Sequence, residues 1–295
     1  MSTTDSGLST RALIQPRRRR QKEEMPKREP GFHLRITLPL IVFLIITLVP
    51  FYWMILFAFR PEGSTSLIPI PFTLDNFVYV WEVLGYDVFF KNSVIVAVLS
   101  MICTTVISVM GGYALARYAF RGRGGVMVML LCTQFIPGAM MLIPLYSIFN
   151  TLGLVNNLWS LIIANVVFEL PLTVILMSSF ISKIPFELEE AAMVDGCSRL
   201  RGFLLIVLPQ MRPALVAVGS FTFIGAWNTF LFALMFLSKQ ELFTVPVGLG
   251  YTIGENSVQY GAMAAGGLVA AVPVVIVFAF IQKYLVQGLS GAIKG

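Results

Sequence analysis

Six runs of apolar residues, each about two dozen long, alternate with shorter polar stretches at residues 36–59, 93–116, 125–149, 158–181, 214–237 and 262–285. An α-helix rises 1.5 Å per residue, so roughly 20 residues cross the hydrocarbon core of a bilayer, and every run is long enough. The pattern predicts an all-α polytopic membrane protein with six transmembrane helices. Residues 184–213 break the rhythm. Four acids (Glu187, Glu189, Glu190, Asp195) and three arginines (Arg199, Arg201, Arg212) bar them from the bilayer interior. Pro185 suits the first position of a helix, and the glutamates follow where the helix dipole favours acids. Gly196 offers a stop, because glycine takes a positive φ without steric cost. From Leu200, apolar residues recur at Phe203, Leu204, Val207 and Leu208, one face of a second helix. The expectation is a helix–turn–helix on the membrane surface, its charged face offered to something soluble.

Charge gives each loop a side. With the N-terminus placed inside, eighteen of the 21 Lys and Arg fall on cytoplasmic stretches, and only Arg60, Lys91 and Lys239 fall outside. That asymmetry puts both termini and the 184–213 loop in the cytoplasm. Residues 1–35 read as a basic cytoplasmic tail. Arg17 to Arg20 precede a long unpunctuated apolar run rather than the short core and small-residue cleavage site of a signal peptide, so the tail is expected to be retained and lipid-facing. A nucleic-acid partner is the weaker explanation of these arginines.

The chain is 57% hydrophobic and 12% charged over 295 residues, and no stretch reads as a soluble catalytic domain. His33 is the single histidine, and no acid, base and nucleophile set is recognisable. No G-x4-G-K-[ST] occurs, so energy from ATP has to come through a partner. Cys103, Cys132 and Cys197 have neither disulfide nor metal-ligand spacing.

Within the spans, Glu169 is the only acid. An intramembrane carboxylate faces a cavity or a partner, which leaves two readings open, substrate path or helix–helix glue. Gln134, Asn165 and Asn228 are uncharged candidates for the same path, with structural hydrogen bonding as the alternative for each. Pro137-Gly138, Pro144, Pro171 and Pro273 are expected to interrupt their spans, while Gly111-Gly112 and Gly266-Gly267 suggest close helix packing. The first external loop, from Arg60 to Asn92, is rich in aromatics that read as an interfacial belt. The third, about residues 238–261, is either a connector or a contact for an external protein.

The residues of the 184–213 loop narrow this further. Glu190-Ala191-Ala192, Gly196, Ile206, Leu208 and Pro209 satisfy EAA-x3-G-x9-I-x-L-P at every spacing. This resembles the cytoplasmic signature of the membrane-spanning subunits of bacterial ABC importers. The resemblance extends along the chain through Asn76-Phe77, Asn92-Ser93, Tyr113-Ala114-Leu115-Ala116-Arg117, residues 142–154, Trp227-Asn228, residues 244–249 and the terminus from Gly288 to Gly295. It is closest to the carbohydrate-importing branch, of the maltose-system second-permease type. One departure is Thr229, which stands where an acid commonly follows Trp-Asn, so a polar role there does not follow from the resemblance.

The resemblance implies a type I ABC importer (MetI-like) transmembrane domain over residues 36–290, with coupling helices at 182–213 and a tail at 291–295. It implies a heterodimer with a second permease subunit, two ATPase subunits beneath, and an extracytoplasmic sugar-binding protein above. ATP and Mg would be held by the ATPase subunits and no cofactor by this chain. Glu190, Ala191, Ala192, Asp195, Gly196, Ile206, Leu208 and Pro209 would dock the ATPase, the two alanines letting the helix sit close in its groove. Gly291, Lys294 and Gly295 would enter the ATPase dimer, and Gly254, Glu255 and Asn256 would meet the binding protein. An ion-coupled secondary transporter or channel subunit is the competing class, and a purely structural membrane subunit a third.

Overall fold

The computed structural model describes residues 32–252 and 259–292, and every regular element among them is helical. Helix α1 spans Phe32–Phe59 and a short α2 spans Asp75–Val78. Then come α3 (Tyr86–Arg117), α4 (Arg123–Thr133), α5 (Leu142–Thr151) and α6 (Leu158–Ile181). The surface loop holds α7 (Glu187–Val194), α8 (Arg199–Gly202) and α9 (Leu208–Gln210). Finally α10 (Arg212–Trp227), α11 (Leu231–Phe236), α12 (Val245–Gly250) and α13 (Tyr260–Ala292) complete the chain. Packing divides it inside α1, with one unit ending at Val49 and the other running from Pro50, well past the tail boundary expected at residue 35.

Four described helices are long and apolar enough to cross a membrane, and up to six spans result if each of two bent pairs is counted as one. The expected third span is broken. Between α4 and α5 the axis turns by 90° around Pro137, which is extended and has no N–H to continue a helix. The expected fifth span ends early, at Trp227. There the Thr229 amide turns from the Gly225 carbonyl to that of Ala226, a tightened last turn, and Asn228 Nδ2 shares the Ile224 carbonyl with its own backbone amide. Other prolines do less than expected. Pro171 and Pro273 lie inside continuous helices, and Pro144 sits in the first turn of α5, where its missing N–H costs little.

The unit from Pro50 onward is built around α3, which lies against both α6 and α10. At Gly112 a Cβ would come within 2.7 Å of Met177 Cβ and 2.8 Å of the Ser178 amide, so only glycine lets α3 and α6 cross this closely. Ser100, Thr104 and Ser108, a turn apart on α3, are fully buried. Several stretches quoted above prove to be clamps. Asn92 Nδ2 donates to the carbonyls of Glu241 and Phe243, both at 3.0 Å, and Ser93 Oγ accepts from the Val245 amide at 2.8 Å. Asn76 Nδ2 donates to the Ala58 and Arg60 carbonyls at the end of α1, and Trp227 Nε1 to the Ala270 carbonyl of α13.

Candidate functional site

The surface loop is a helix–turn–helix whose details differ from the sequence expectation. Its first helix begins at Glu187, two residues beyond Pro185. It ends as the glycine requires: Gly196 has φ +87°, the Cys197 amide donates to the Ala192 carbonyl and the Gly196 amide to that of Met193. Ser198 Oγ then accepts from the Arg201 amide and caps the second helix. Residues Phe203–Val207 form a π turn, whose wider winding rotates the helix face. Gly202, Val207 and Met211 are therefore buried, while Leu200, Leu204 and Leu205 face outward with Leu200 67% and Leu205 68% exposed. Val194 at the end of α7 is 87% exposed. The outward face is thus a mixture of charge and large apolar groups, not the charged face expected.

Within the signature, Glu190, Ala191, Asp195, Gly196 and Pro209 are exposed, while Ile206 and Leu208 are half-buried. Ala192 is buried within the chain, its Cβ 4.0 Å from where a Gly202 Cβ would stand. Its small size fits α7 against α8, which corrects the expectation that it lies open to a groove.

Glu189, one of four acids on the loop, is the residue that ties the loop down. Its carboxylate turns inward, with Oε1 2.6 Å from Arg117 Nε and Oε2 accepting from the Tyr113 hydroxyl at 2.7 Å. Arg117 Nη2 also donates to the Ile184 carbonyl at 2.9 Å. The ion pair is almost dry, its side chains 8% and 5% exposed. Charge-assisted hydrogen bonds of this kind are about twice as strong as neutral ones. Aromatic rings close around them: Tyr113 meets Phe203 edge-on at 4.8 Å, and the Arg117 guanidinium lies 5.6 Å from the Phe186 ring. Arg117 closes the Tyr113–Arg117 stretch of the resemblance, but the 72-residue separation hides the pairing from any helical spacing rule.

Asn165, Glu169, Gly225 and Thr229 form a polar seam between α6 and the end of α10. Thr229 Oγ1 donates to Asn165 Oδ1 at 2.8 Å, so this position does carry a polar role. One turn along α6, Glu169 lies so close to Gly225 that a Cβ there would overlap Oε1. Asn165 Nδ2 and Glu169 Oε2 are buried without a hydrogen-bond partner among the described residues. The four expected path residues are not brought together. Gln134 is exposed on another side of α6, in a cavity with Val167, Phe168 and Pro171, and Asn228 bonds only to its own helix. Gly254, Glu255, Asn256, Lys294 and Gly295 lie outside the described residues, and Gly291 falls in the last turn of α13.

Long apolar helices, a pair of surface helices clasped to the central one, and breaks in two spans define a multi-pass membrane permease subunit. The chain belongs to the binding-protein-dependent transport system inner membrane component family, which it matches over residues 107–291. It is similar to the probable ABC transporter permease protein YurM of Bacillus subtilis, 38% identical over 262 residues covering 87% of each chain. It is also similar to the trehalose/maltose transport system permease protein MalG of Thermococcus litoralis, 34% identical over 281 residues covering 93% of this chain and 99% of that one. Among solved structures, a bacterial ABC transporter importing the acidic polysaccharide alginate has the same fold, with TM-score 0.75, 22% identity and coverage of 86% of this chain and 96% of that one. The MetNI methionine ABC transporter shares it at TM-score 0.53, with 18% identity and coverage of 72% and 94%.

Proposed function

We propose that this chain is one of two permease subunits of an ATP-driven, binding-protein-dependent sugar importer in a bacterial inner membrane. The observation that carries this is the surface pair α7 and α8–α9, on which Glu190, Val194, Leu200 and Leu205 are all exposed. A surface that carries both an exposed carboxylate and large apolar side chains suits docking into a groove on a soluble ATPase subunit, where partial burial strengthens any ion pair that Glu190 makes. The curated relatives whose names give a substrate support sugar as the cargo class. They transport trehalose and maltose, diacetylchitobiose and arabinooligosaccharides. ATP and Mg belong to the ATPase partners, and this chain holds no cofactor. Both termini and the α7–α9 loop face the cytoplasm, with residues 254–256 toward the binding protein and 291–295 toward the ATPase.

The test is co-expression of the tagged chain with a second permease and an ATPase subunit from the same organism, followed by purification in mild detergent. A complex that contains both partners and hydrolyses ATP is the expected result. A chain that purifies alone under conditions where both partners are made would overturn the reading.

A further inference from the structure

Docking explains why α7 would move; it does not say which part of the membrane domain follows. The backbone offers two routes, the short link from α6 at residues 182–186 and the 75° bend at Met211 into α10. Most of the link is exposed and has no regular structure, and the bend occurs between two helices rather than within a stiff one. Neither resembles a rod.

The geometry points to a third route, and we propose it: Arg117, Glu189 and Tyr113 make α7 and the end of α3 travel as one body. Glu189 and Arg117 position the helices through which Glu190 acts and need not touch ATPase or sugar. The proposal rests on the coupling role given above to the α7–α9 loop. Three features favour this route. The contact joins elements 72 residues apart through two carboxylate bonds in a nearly dry setting, where separating the charges leaves each uncompensated. Arg117 grips the Ile184 carbonyl as well, so the α6–α7 link cannot move away from α3 without losing a second bond. Finally, α3 is locked to α6 at Gly112, so a pull on Arg117 is delivered to two spanning helices together.

The test is distance measurement between spin labels in the complete transporter in lipid, with Cys103, Cys132 and Cys197 replaced by serine. One label pair is Ile107→Cys on α3 with Glu187→Cys on α7, both exposed positions. A control pair joins Glu187→Cys to Val275→Cys on α13. Between the ATP-free state and the state trapped with Mg-ATP and vanadate, the control distance should change while the Ile107–Glu187 distance stays constant. In Glu189→Gln, and more weakly in Tyr113→Phe, the Ile107–Glu187 distance should broaden and shift on trapping. The milder tyrosine variant keeps the ion pair, so it remains informative if Glu189→Gln does not fold. A wild-type Ile107–Glu187 distance that shifts on trapping overturns the proposal, as does one that stays constant in both variants. No change in the control pair means that α7 moves relative to α13 no more than to α3, so nothing singles out the link to α3 and this inference fails; the coupling reading itself fails only if the ATPase does not assemble with the chain.

Discussion

Thr229 donates a 2.8 Å hydrogen bond to Asn165 across the contact between the end of α10 and α6. The bond takes one of the two polar atoms of a nearly buried amide, and Asn165 Nδ2 is already without a partner. Thr229→Ala removes the remaining bond, and stranding a buried polar group costs about 1–3 kcal/mol. Thr229→Ser keeps the hydroxyl. Thermal unfolding of the purified chain in detergent should show a lower Tm for the alanine variant and a near-native one for serine. Equal values for both would mean the bond contributes nothing.

Two glycines should respond very differently to a methyl group. At Gly112 the added Cβ meets Met177 Cβ and the Ser178 backbone, neither of which can swing aside. At Gly225 it meets only the end of the flexible Glu169 side chain. Gly112→Ala should therefore force α3 and α6 apart and sharply reduce the yield of folded protein, with overpacking costs of order 1–3 kcal/mol or more. Gly225→Ala should fold normally and turn Glu169 away. Yield by fluorescence size-exclusion chromatography checks the contrast, and comparable yields for the two would refute it.

Adjacent glutamates should separate stability from assembly. Glu189→Ala leaves Arg117 buried and uncompensated, a loss of about 3–5 kcal/mol. Glu190 is exposed, so Glu190→Ala should change the stability of the isolated chain by less than about 0.5 kcal/mol. It should nevertheless weaken binding of the ATPase subunit or the hydrolysis it supports. Denaturation of the chain alone, set beside ATPase retention in the complex, distinguishes the two. Normal assembly and transport in Glu190→Ala would remove that residue from the mechanism.

These residues also show what the sequence could disclose. Pro185, the glutamates after it and the stop at Gly196 announce the surface helix pair, and the φ of Gly196 follows from its residue type at the end of α7. The helical face beginning at Leu200 departs from the period-3.6 pattern because of a π turn, which that pattern cannot show and which exchanges Leu204 for Gly202 at the buried side. The role of Glu189 is not legible in the sequence, because its partner is on another helix and periodicity registers only near neighbours. At Thr229 the resemblance leaves a polar role open, and the structure supplies one of a different kind, since the hydroxyl donates to Asn165 Oδ1 where a carboxylate could only accept. The breaks after Thr133 and Trp227 are half-legible: Pro137 marks the first, whereas the second closes in a tightened backbone turn that no residue type there announces.

The exposed apolar groups of the same loop give a sharper test of docking. Val194→Asp or Leu205→Asp adds charge where the side chain is already 87% or 68% exposed, so folding of the chain should be unaffected. Burying that charge in an ATPase groove is costly, and the ATPase should be lost from the complex or retained severalfold less well. Undiminished ATPase retention in both variants would place the docking surface elsewhere.

Uptake itself decides whether this subunit serves an ATP-driven sugar importer. The chain, its second permease and its ATPase would be reconstituted in liposomes and offered a panel of labelled oligosaccharides, with ATP and the sugar-binding protein each supplied or withheld. Accumulation of at least one sugar that requires both is the result expected here, and it identifies the cargo. Accumulation indifferent to ATP, but abolished when an ion gradient is collapsed, would contradict it and make Glu169 rather than Glu190 the centre of the mechanism.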